Sequence, residues 1–195
     1  MKHSMKHSMK HSMKQFQHSF FKTSALALLV LASATSTAEK ADKNKPAVID
    51  ADRATHNELT QTQVFEGNVV MVKGTMVIKA NRVEARTDQE GYQMAVAFGA
   101  AGKPATFKQK RDGLEETIEA EATTINFDGK ADTITLTDQA IVRRFAKTVM
   151  QDESRGAVIK YSNQTEFYEV KGGPTSSYAG GRVQTILAPR APTSK

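Results

Sequence analysis

The chain has 195 residues, with 27 Lys and Arg against 21 Asp and Glu, no Cys and no Trp. The net charge of +6 suggests a polyanion partner until it is mapped. Residues 1–38 hold Lys2, Lys6, Lys10, Lys14 and Lys22 and no acid, and without those five Lys there are 22 basic against 21 acidic residues. Nucleic-acid binding by counterion release needs a standing excess of Lys and Arg on one face, so no nucleic-acid partner is expected. The absent Cys excludes a disulfide framework, a thiolate nucleophile and the Cys of a lipoprotein anchor.

Residues 1–38 have the layout of a cleaved signal peptide for export. A Lys-rich start runs to Lys22, an apolar run covers Ala25 to Ala32, and small residues follow from Ser33 to Ala38. Ser36-Thr37-Ala38 fits a small-x-small cleavage site, with Ala32-Ser33-Ala34 as its rival. The apolar run is far shorter than the ~20 residues of a spanning helix. Met-Lys-His-Ser is repeated three times at the start, and with His18 this segment holds four of the five His. A His-rich tract can bind metal, but a segment that is removed carries no function in the mature protein, so neither a metal nor a cofactor is expected. Residues 39–45 read as a flexible arm, 46–190 as one β domain, and 191–195 as a C-terminal tail.

From Phe65 to Met71 the odd positions are apolar or Gly, around Ile78 the even ones lead, and from Thr133 to Thr137 apolar residues alternate strictly with Thr. Period-two alternation turns one face of a strand to a core and the other to water. Turn signals are dense: Gly67-Asn68, Lys73-Gly74, Glu90-Gly91, Asp112-Gly113, Asp128-Gly129, Gly172-Gly173-Pro174 and Gly180-Gly181. That density suits a meander of antiparallel strands. Ile-x-Ala at Ile49, Ile78 and Ile118 hints at stacked β units. After the second and third copies the apolar phase flips, to Val83 and Ala85 and to Ile125 and Phe127, which predicts a bulge or corner at each place. Between residues 140 and 152, Ile141, Phe145 and Val149 have helical spacing, and strand and helix both remain open there.

Little supports an enzyme. After the signal only His56 remains, read as an exposed turn residue, and there is no G-x-S-x-G elbow. Asp50 and Asp52 would share one strand face opposite Ile49 and Ala51, pointing to solvent. The cluster of Lys103, Lys108, Lys110 and Arg111 around Phe107 is followed at once by Asp112, Glu115 and Glu116, so its charge nearly cancels. What remains is a large inward apolar set: Ile49, Phe65, Ile78, Phe107, Ile118, Ile125, Phe127, Ile134 and Leu136 among others. Such a set serves a closed sandwich core or a lipid-holding groove between two sheets equally well, and alternation does not separate the two.

Four motifs in order carry a resemblance: Phe65-Glu66-Gly67-Asn68-Val69, Gly74 with Ile78-Lys79-Ala80, Gly102-Lys103-Pro104-Ala105-Thr106-Phe107, and Gly181-Arg182-Val183 running on to Pro189. Over residues 46–190 the chain resembles the periplasmic lipopolysaccharide-transport protein A family, also called OstA-like. The resemblance implies an all-β fold, an open, twisted β-jellyroll folded like a V. It implies a periplasmic carrier that holds the lipid A part of lipopolysaccharide and assembles head-to-tail into a bridge from inner to outer membrane. The implied partners are the inner-membrane transport protein C and the N-terminal domain of outer-membrane transport protein D. Carried onto this sequence, Ala47 and Ile49 on the first strand, Phe107 and Phe127 would face lipid. Phe65 and Ile78 join them by strand phase, with Ile118, Ile125, Ile134 and Leu136 from the inward set. Val48, Val183, Thr185 and Leu187 would form the oligomer edges, where unpaired backbone groups accept strand addition. Two departures stand out: Asp138-Gln139 replaces an expected Gly-Asn, and the stretch from Ala140 to Gly156 is long for a hairpin. The rivals are a structural β-scaffold that assembles by its edges without lipid, and an envelope hydrolase, which lacks a nucleophile–base set.

Overall fold

The computed structural model describes residue 42 and residues 45–111 and 115–189; the expected signal peptide, most of the expected arm and the expected tail lie outside the described residues, as does the Asp112-Gly113 turn signal. Alternating residues become twelve strands: β1 (Ala47–Asp50), β2 (Arg53–Asn57), β3 (Thr62–Lys73), β4 (Met76–Thr87), β5 (Gln93–Phe98), β6 (Ala105–Lys110), β7 (Glu116–Ala122), β8 (Thr124–Asp128), β9 (Thr133–Ala146), β10 (Val149–Ser162), β11 (Phe167–Lys171) and β12 (Gln184–Leu187). Every pairing is antiparallel, and all twelve strands belong to one sheet.

That sheet is folded into two leaves by its four long strands. β3 pairs β2 through Thr62–Glu66 and β1 through Val70–Lys73. β4 pairs β6 through Val77–Lys79 and β5 through Arg82–Thr87. β9 pairs β8 through Thr133–Thr137 and β7 through Ile141–Ala146, and β10 divides likewise between β12 and β11. One leaf therefore reads β1-β3-β4-β6-β7-β9-β10-β12, and the other β2-β3-β4-β5-β8-β9-β10-β11. This is the open jellyroll that the resemblance implied.

The spine between the leaves is made of bulges. Gly67 and Asn68 both have positive φ (80° and 45°) and lie where the β3–β4 register shifts. Gly-Asn read as a turn signal, but here it bends a continuous strand. Asp138 and Gln139 adopt the same pair of conformations (61° and 54°) at a register shift in β9–β10. The local geometry is kept even where the expected Gly-Asn is absent, because Asp and Gln are held there by the ladders on either side. Opposite Gly67 and Asn68, the buried phase of β4 changes from Met76 and Ile78 to Val83. The second flip falls at Thr123, between β7 and β8, where Ala120 and Ala122 give way to Ile125 and Phe127. Both predicted corners exist.

The chain is a tandem repeat, in a register the sequence concealed. Arg53 pairs Glu66 and Thr124 pairs Thr137, each residue 71 positions from its counterpart. The Asp52 N–H donates to Gly67 O at 3.0 Å, as the Thr123 N–H donates to Asp138 O at 2.8 Å. In the turn after β2, Asn57 Oδ1 accepts from the N–H groups of Leu59 and Thr60; after β8, Asp128 Oδ1 accepts from those of Lys130 and Ala131. Ile49 thus corresponds to Ala120 and not to Ile118, and Ile78 lies on a different strand of the unit.

Three local expectations change. Residues 140–152 are strand in β9 and β10 with a turn at Lys147, so the helical spacing was coincidental. Asp50 ends β1 while Asp52 lies in the bend before β2, where it accepts from the Asn68 amide at 3.0 Å, so the two do not share a strand face. His56 is exposed but lies in β2 and not in a turn.

Candidate functional site

The leaves press their inward faces together in an apolar seam. Val69, Met71, Met76 and Ile78 meet Val83, Ala95, Ala97 and Phe127, with Phe107, Ile125, Ile134, Leu136 and Ile159 completing the buried cluster. All ten predicted groove residues lie on this seam or its openings. Ile78, Phe107, Ile125, Phe127, Ile134 and Leu136 are buried; Ile49, Phe65 and Ile118 are half-buried against the cluster. Ala47, also half-buried, lines an opening with Ile49.

The seam is closed by its own side chains over most of its length. The opening beside β1 and β2 has about 200 Å³, between Ala47, Ile49 and Met71 on one leaf and Gln63, Ala85 and Ala95 on the other. At the far end, between Phe107, Ile118 and Val142 and the facing Leu136, Tyr161 and Tyr168, only about 50 Å³ is free. That is little more than the ~30 Å³ share of one water molecule. A wider space, about 570 Å³, lies along the open side between the turns of the two leaves.

Polar contacts cross that open side. Lys73, on the rim of the first leaf, donates from Nζ to Gln93 Oε1 on the rim of the second at 2.9 Å. Arg111, just after β6, donates to Glu116 on its own leaf at 2.6 Å and to Glu166 on the other at 2.6 Å. Burial pushes the Lys73 ammonium below the ordinary lysine range, against the opposing pull of Asp132 and Asp42. Burial also disfavours charge on Arg111, but its bonds to Glu116 and Glu166 outweigh it and raise the group. These contacts escaped the sequence reading, although Lys73 follows Val69 and Met71 in phase and Gln109 follows Ala105 and Phe107.

Deeper in the second repeat, Arg144 enters the seam beside Ile118 and pairs with Asp152 and with Glu116. Burial opposes its charge, and the bonds to Asp152 and Glu116 raise it overall. The basic cluster seen in the sequence is not a free patch: Lys108 pairs Glu119 at 2.7 Å, and Arg111 is paired on both sides.

The end strands are single-sided. Among the described residues β1 and β2 each pair only β3, and β11 and β12 each pair only β10. Val48, Ile186 and Leu187 are exposed there, Thr185 binds the Ser154 hydroxyl at 3.0 Å, and Val183 lies just before β12 and not within it.

Among known proteins, residues 48–167 match the family model described as LptA/(LptD N-terminal domain) LPS transport protein. The chain is 30% identical over 164 residues to the lipopolysaccharide export system protein LptA of Haemophilus influenzae, covering 84% of this chain and 89% of that protein. It is 29% identical over 176 residues to LptA of Escherichia coli K12, covering 87% and 89%. The crystal structure of LptH, described as the LptA homologous periplasmic component of the lipopolysaccharide transport device of Pseudomonas aeruginosa, superposes with a TM-score of 0.64 at 23% identity, over 76% of this chain and 99% of that one. With the sheet folded as it is and these matches spanning most of its length, the chain belongs to the LptA/LptD N-terminal domain family of LPS transport proteins.

Proposed function

We propose that this protein is a periplasmic carrier that holds lipopolysaccharide by its acyl chains between the two leaves and passes it along a head-to-tail bridge. The observation that carries the reading is the seam, apolar within and bounded at both ends by strands with one free edge. Each CH₂ taken from water contributes about 0.8 kcal/mol, so a few acyl chains offset the loss of contacts when the leaves part. Loading separates the rims at Lys73–Gln93 and Arg111–Glu166 and hands the seam's side chains over to the guest. Residues 1–38 direct export and are removed. The protein acts by holding and releasing, without a catalytic group.

The inner joint of the repeat supplies the pattern for assembly. Within the chain β6 pairs β7, with Phe107 opposite Ala120, and β5 pairs β8. Thr185 holds in β12 the position of Phe107 in β6, since they face Ser154 and Ile78 at matching points of β10 and β4; Ile49 is the counterpart of Ala120. A second copy therefore docks with its Ile49 opposite Thr185, extending both leaves. The same edges serve similar folds at either membrane, the inner-membrane transport protein C and the N-terminal domain of outer-membrane transport protein D. Opposed strand residues have Cβ atoms about 4.5–5.5 Å apart, within reach of the shorter Cβ spacing of a disulfide after small adjustment. In this Cys-free chain, Ile49→Cys with Thr185→Cys is expected to give oxidised ladders, and Ala47→Cys with Thr185→Cys is not; ladders from the second pair alone reject this joint.

Lipid loading is tested with a photo-reactive residue at Ile118, inside the seam, or at Glu119, on the opposite face. Crosslinks to lipopolysaccharide from position 118 and not 119 are expected. Crosslinks from neither, or equally from both, reject the carrier reading.

A further inference from the structure

The second leaf carries one row of cross-strand partners from edge to edge. His56 on β2 faces Gln63 on β3, which faces Ala85 on β4 and then Ala95 on β5. The row runs on through Phe127 on β8, Ile134 on β9 and Tyr161 on β10 to Tyr168 on β11. Its middle members Ala95, Phe127 and Ile134 are buried in the seam. Cross-strand partners share a face, so His56 and Tyr168 stand on the inward face at the two ends of the leaf. The repeat makes Phe127 the counterpart of His56, and Ala95 the counterpart of Tyr168. Inside the chain Ala95 and Phe127 face each other across the joint between the repeats. At the ends the same two positions are exposed, Tyr168 to 42%, and they hold an aromatic ring and the one histidine beyond residue 38.

We infer that a second copy docks with its His56 against Tyr168 of the first, and that this contact makes the joint weaken in acid. The inference rests on the head-to-tail reading and adds the second leaf to the joint that Ile49 and Thr185 form on the first. In the inner joint Phe127 is buried with Ala95 and Ile134, and Lys73 Nζ lies 6.0 Å from its ring centre. At the outer joint Tyr168 and Tyr161 take the places of Ala95 and Ala85, and Arg144 takes the place of Lys73. Histidine is the side chain whose charge ordinarily changes between pH 5 and 8. A neutral imidazole fits such a site, whereas burial disfavours a protonated one. The charged groups around it do not offset that cost. Arg86 lines the same opening as Gln63, and Arg144 faces the ring from the docked copy, so both of these are cations. Asp152 and Glu116 are bonded to Arg144, and Glu166 to Arg111. Glu58, two residues on from His56, is exposed in the turn after β2, where water and salt screen it. The joint therefore admits the neutral ring and excludes the protonated one.

Sedimentation velocity of the exported protein at pH 7.5 and pH 5.5 reads the joint. The dissociation constant of the wild type is expected to rise about fivefold or more on acidification, since an interface that excludes one proton weakens by up to about tenfold per pH unit. His56→Phe, which copies the inner joint, should change less than twofold. His56→Lys, which keeps a charge at both pH values, should associate weakly at both. His56→Cys with Tyr168→Cys should also give oxidised ladders, by the same cross-strand spacing. A wild type indifferent to pH, an equal pH dependence in His56→Phe, or ladders from the Ile49 and Thr185 pair with none from the His56 and Tyr168 pair overturns the inference and leaves the bridge standing. A wild type that stays monomeric at pH 7.5, with neither pair giving ladders, overturns both.

Discussion

The two halves of the molecule follow one strand plan with different interiors. In the first repeat the inward face of β3 and β4 offers Val69, Met71, Met76 and Ile78, all buried and apolar. The register places Ala140, Val142, Asp152 and Ser154 at the matching points of β9 and β10, and Arg144 where the first repeat has Lys73. The spine differs too: Gly67 and Asn68 bend β3, while Asp138 and Gln139 bend β9. The topology therefore follows the ladder and the bulge conformations more than any one set of core residues. Buried charge replaces apolar packing where each group finds a partner, as Arg144 does between Asp152 and Glu116.

The spine offers the hardest test. Gly67 has a φ of +80°, and a Cβ there would run into the Asp52 side chain. Gly67→Val combines a left-handed conformation costing about 1–2 kcal/mol with overpacking of about 1–3 kcal/mol. The expected melting temperature is lower by about 4–20 °C, at about 2–4 °C per kcal/mol for a chain of this size. Asp138→Val, already non-glycine in the wild type, should cost less than half as much by calorimetry. Equal losses would mean that the two bulges are equivalent despite their residues.

Next comes the ion pair in the second seam. Arg144→Met leaves Asp152 without its cation, while Glu116 keeps Arg111. Because Arg144 is partly exposed, the loss should be about 2 kcal/mol, below the 3–5 kcal/mol of a fully buried pair. Adding Asp152→Met restores the residue that the first repeat has as Met76 and should recover most of the loss in a urea titration. If the double variant is less stable than the single, the second seam depends on its charges and the halves are not interchangeable.

Why some of this was legible in the sequence and some was not follows from chain distance. Phe107, Ile125, Phe127, Ile134 and Leu136 are buried on the inward face, as their phase predicts, because period two acts between neighbours. The two-residue bulge at Gly67 and Asn68 leaves that phase intact, so a strand that bends there looks like two strands and a turn. Asp138 and Gln139 gave no signal of their own and stood out only against the Gly-Asn of the resemblance, since their left-handed backbone is imposed by β10 and by the bonds to Thr123 and Thr175. The repeat was hidden because Ile49 and Ile118 look alike but are two positions out of step, Ile49 being matched by Ala120. Lys73 meets Gln93, and Arg111 meets Glu166, only after the sheet has folded over, so no local pattern announces the rims.

Acid separates the halves on the outer face. Glu153 is buried between Arg143 and Arg155, where the first repeat has Val77. Burial opposes its charge, but the hydrogen bonds from Arg155 and Arg143 prevail and hold its carboxyl below the ordinary range. A carboxylate with a depressed folded pKa adds stability that is complete above the unfolded value, near 4.3, and is lost as pH falls through the folded value. Glu153→Gln should cost about 1 kcal/mol at pH 7, and the gap to wild type should close in denaturation curves as pH falls below 4. A gap that persists at pH 2 would assign the effect to packing.

The smallest expected effect is a gain. Asp138 holds a φ of 61° without glycine, and its carbonyl, not its side chain, receives the Thr123 N–H. Asp138→Gly gives the second spine the residue of the first. Relief of the left-handed backbone is worth up to about 1–2 kcal/mol for an ordinary residue and less for Asp, while the freer unfolded chain takes back about 0.4–1 kcal/mol. The net is a gain of about 0.5 kcal/mol, or ~1–2 °C in melting temperature. Gln139→Asn, the other half of the same exchange, should gain nothing, because Gln139 Nε2 donates to Thr175 O at 3.3 Å and the shorter side chain gives up that bond. If Asp138→Gly is neutral while Gln139→Asn is stabilising, the strain sits on the second residue of the bulge, and the two spines differ in where they carry it.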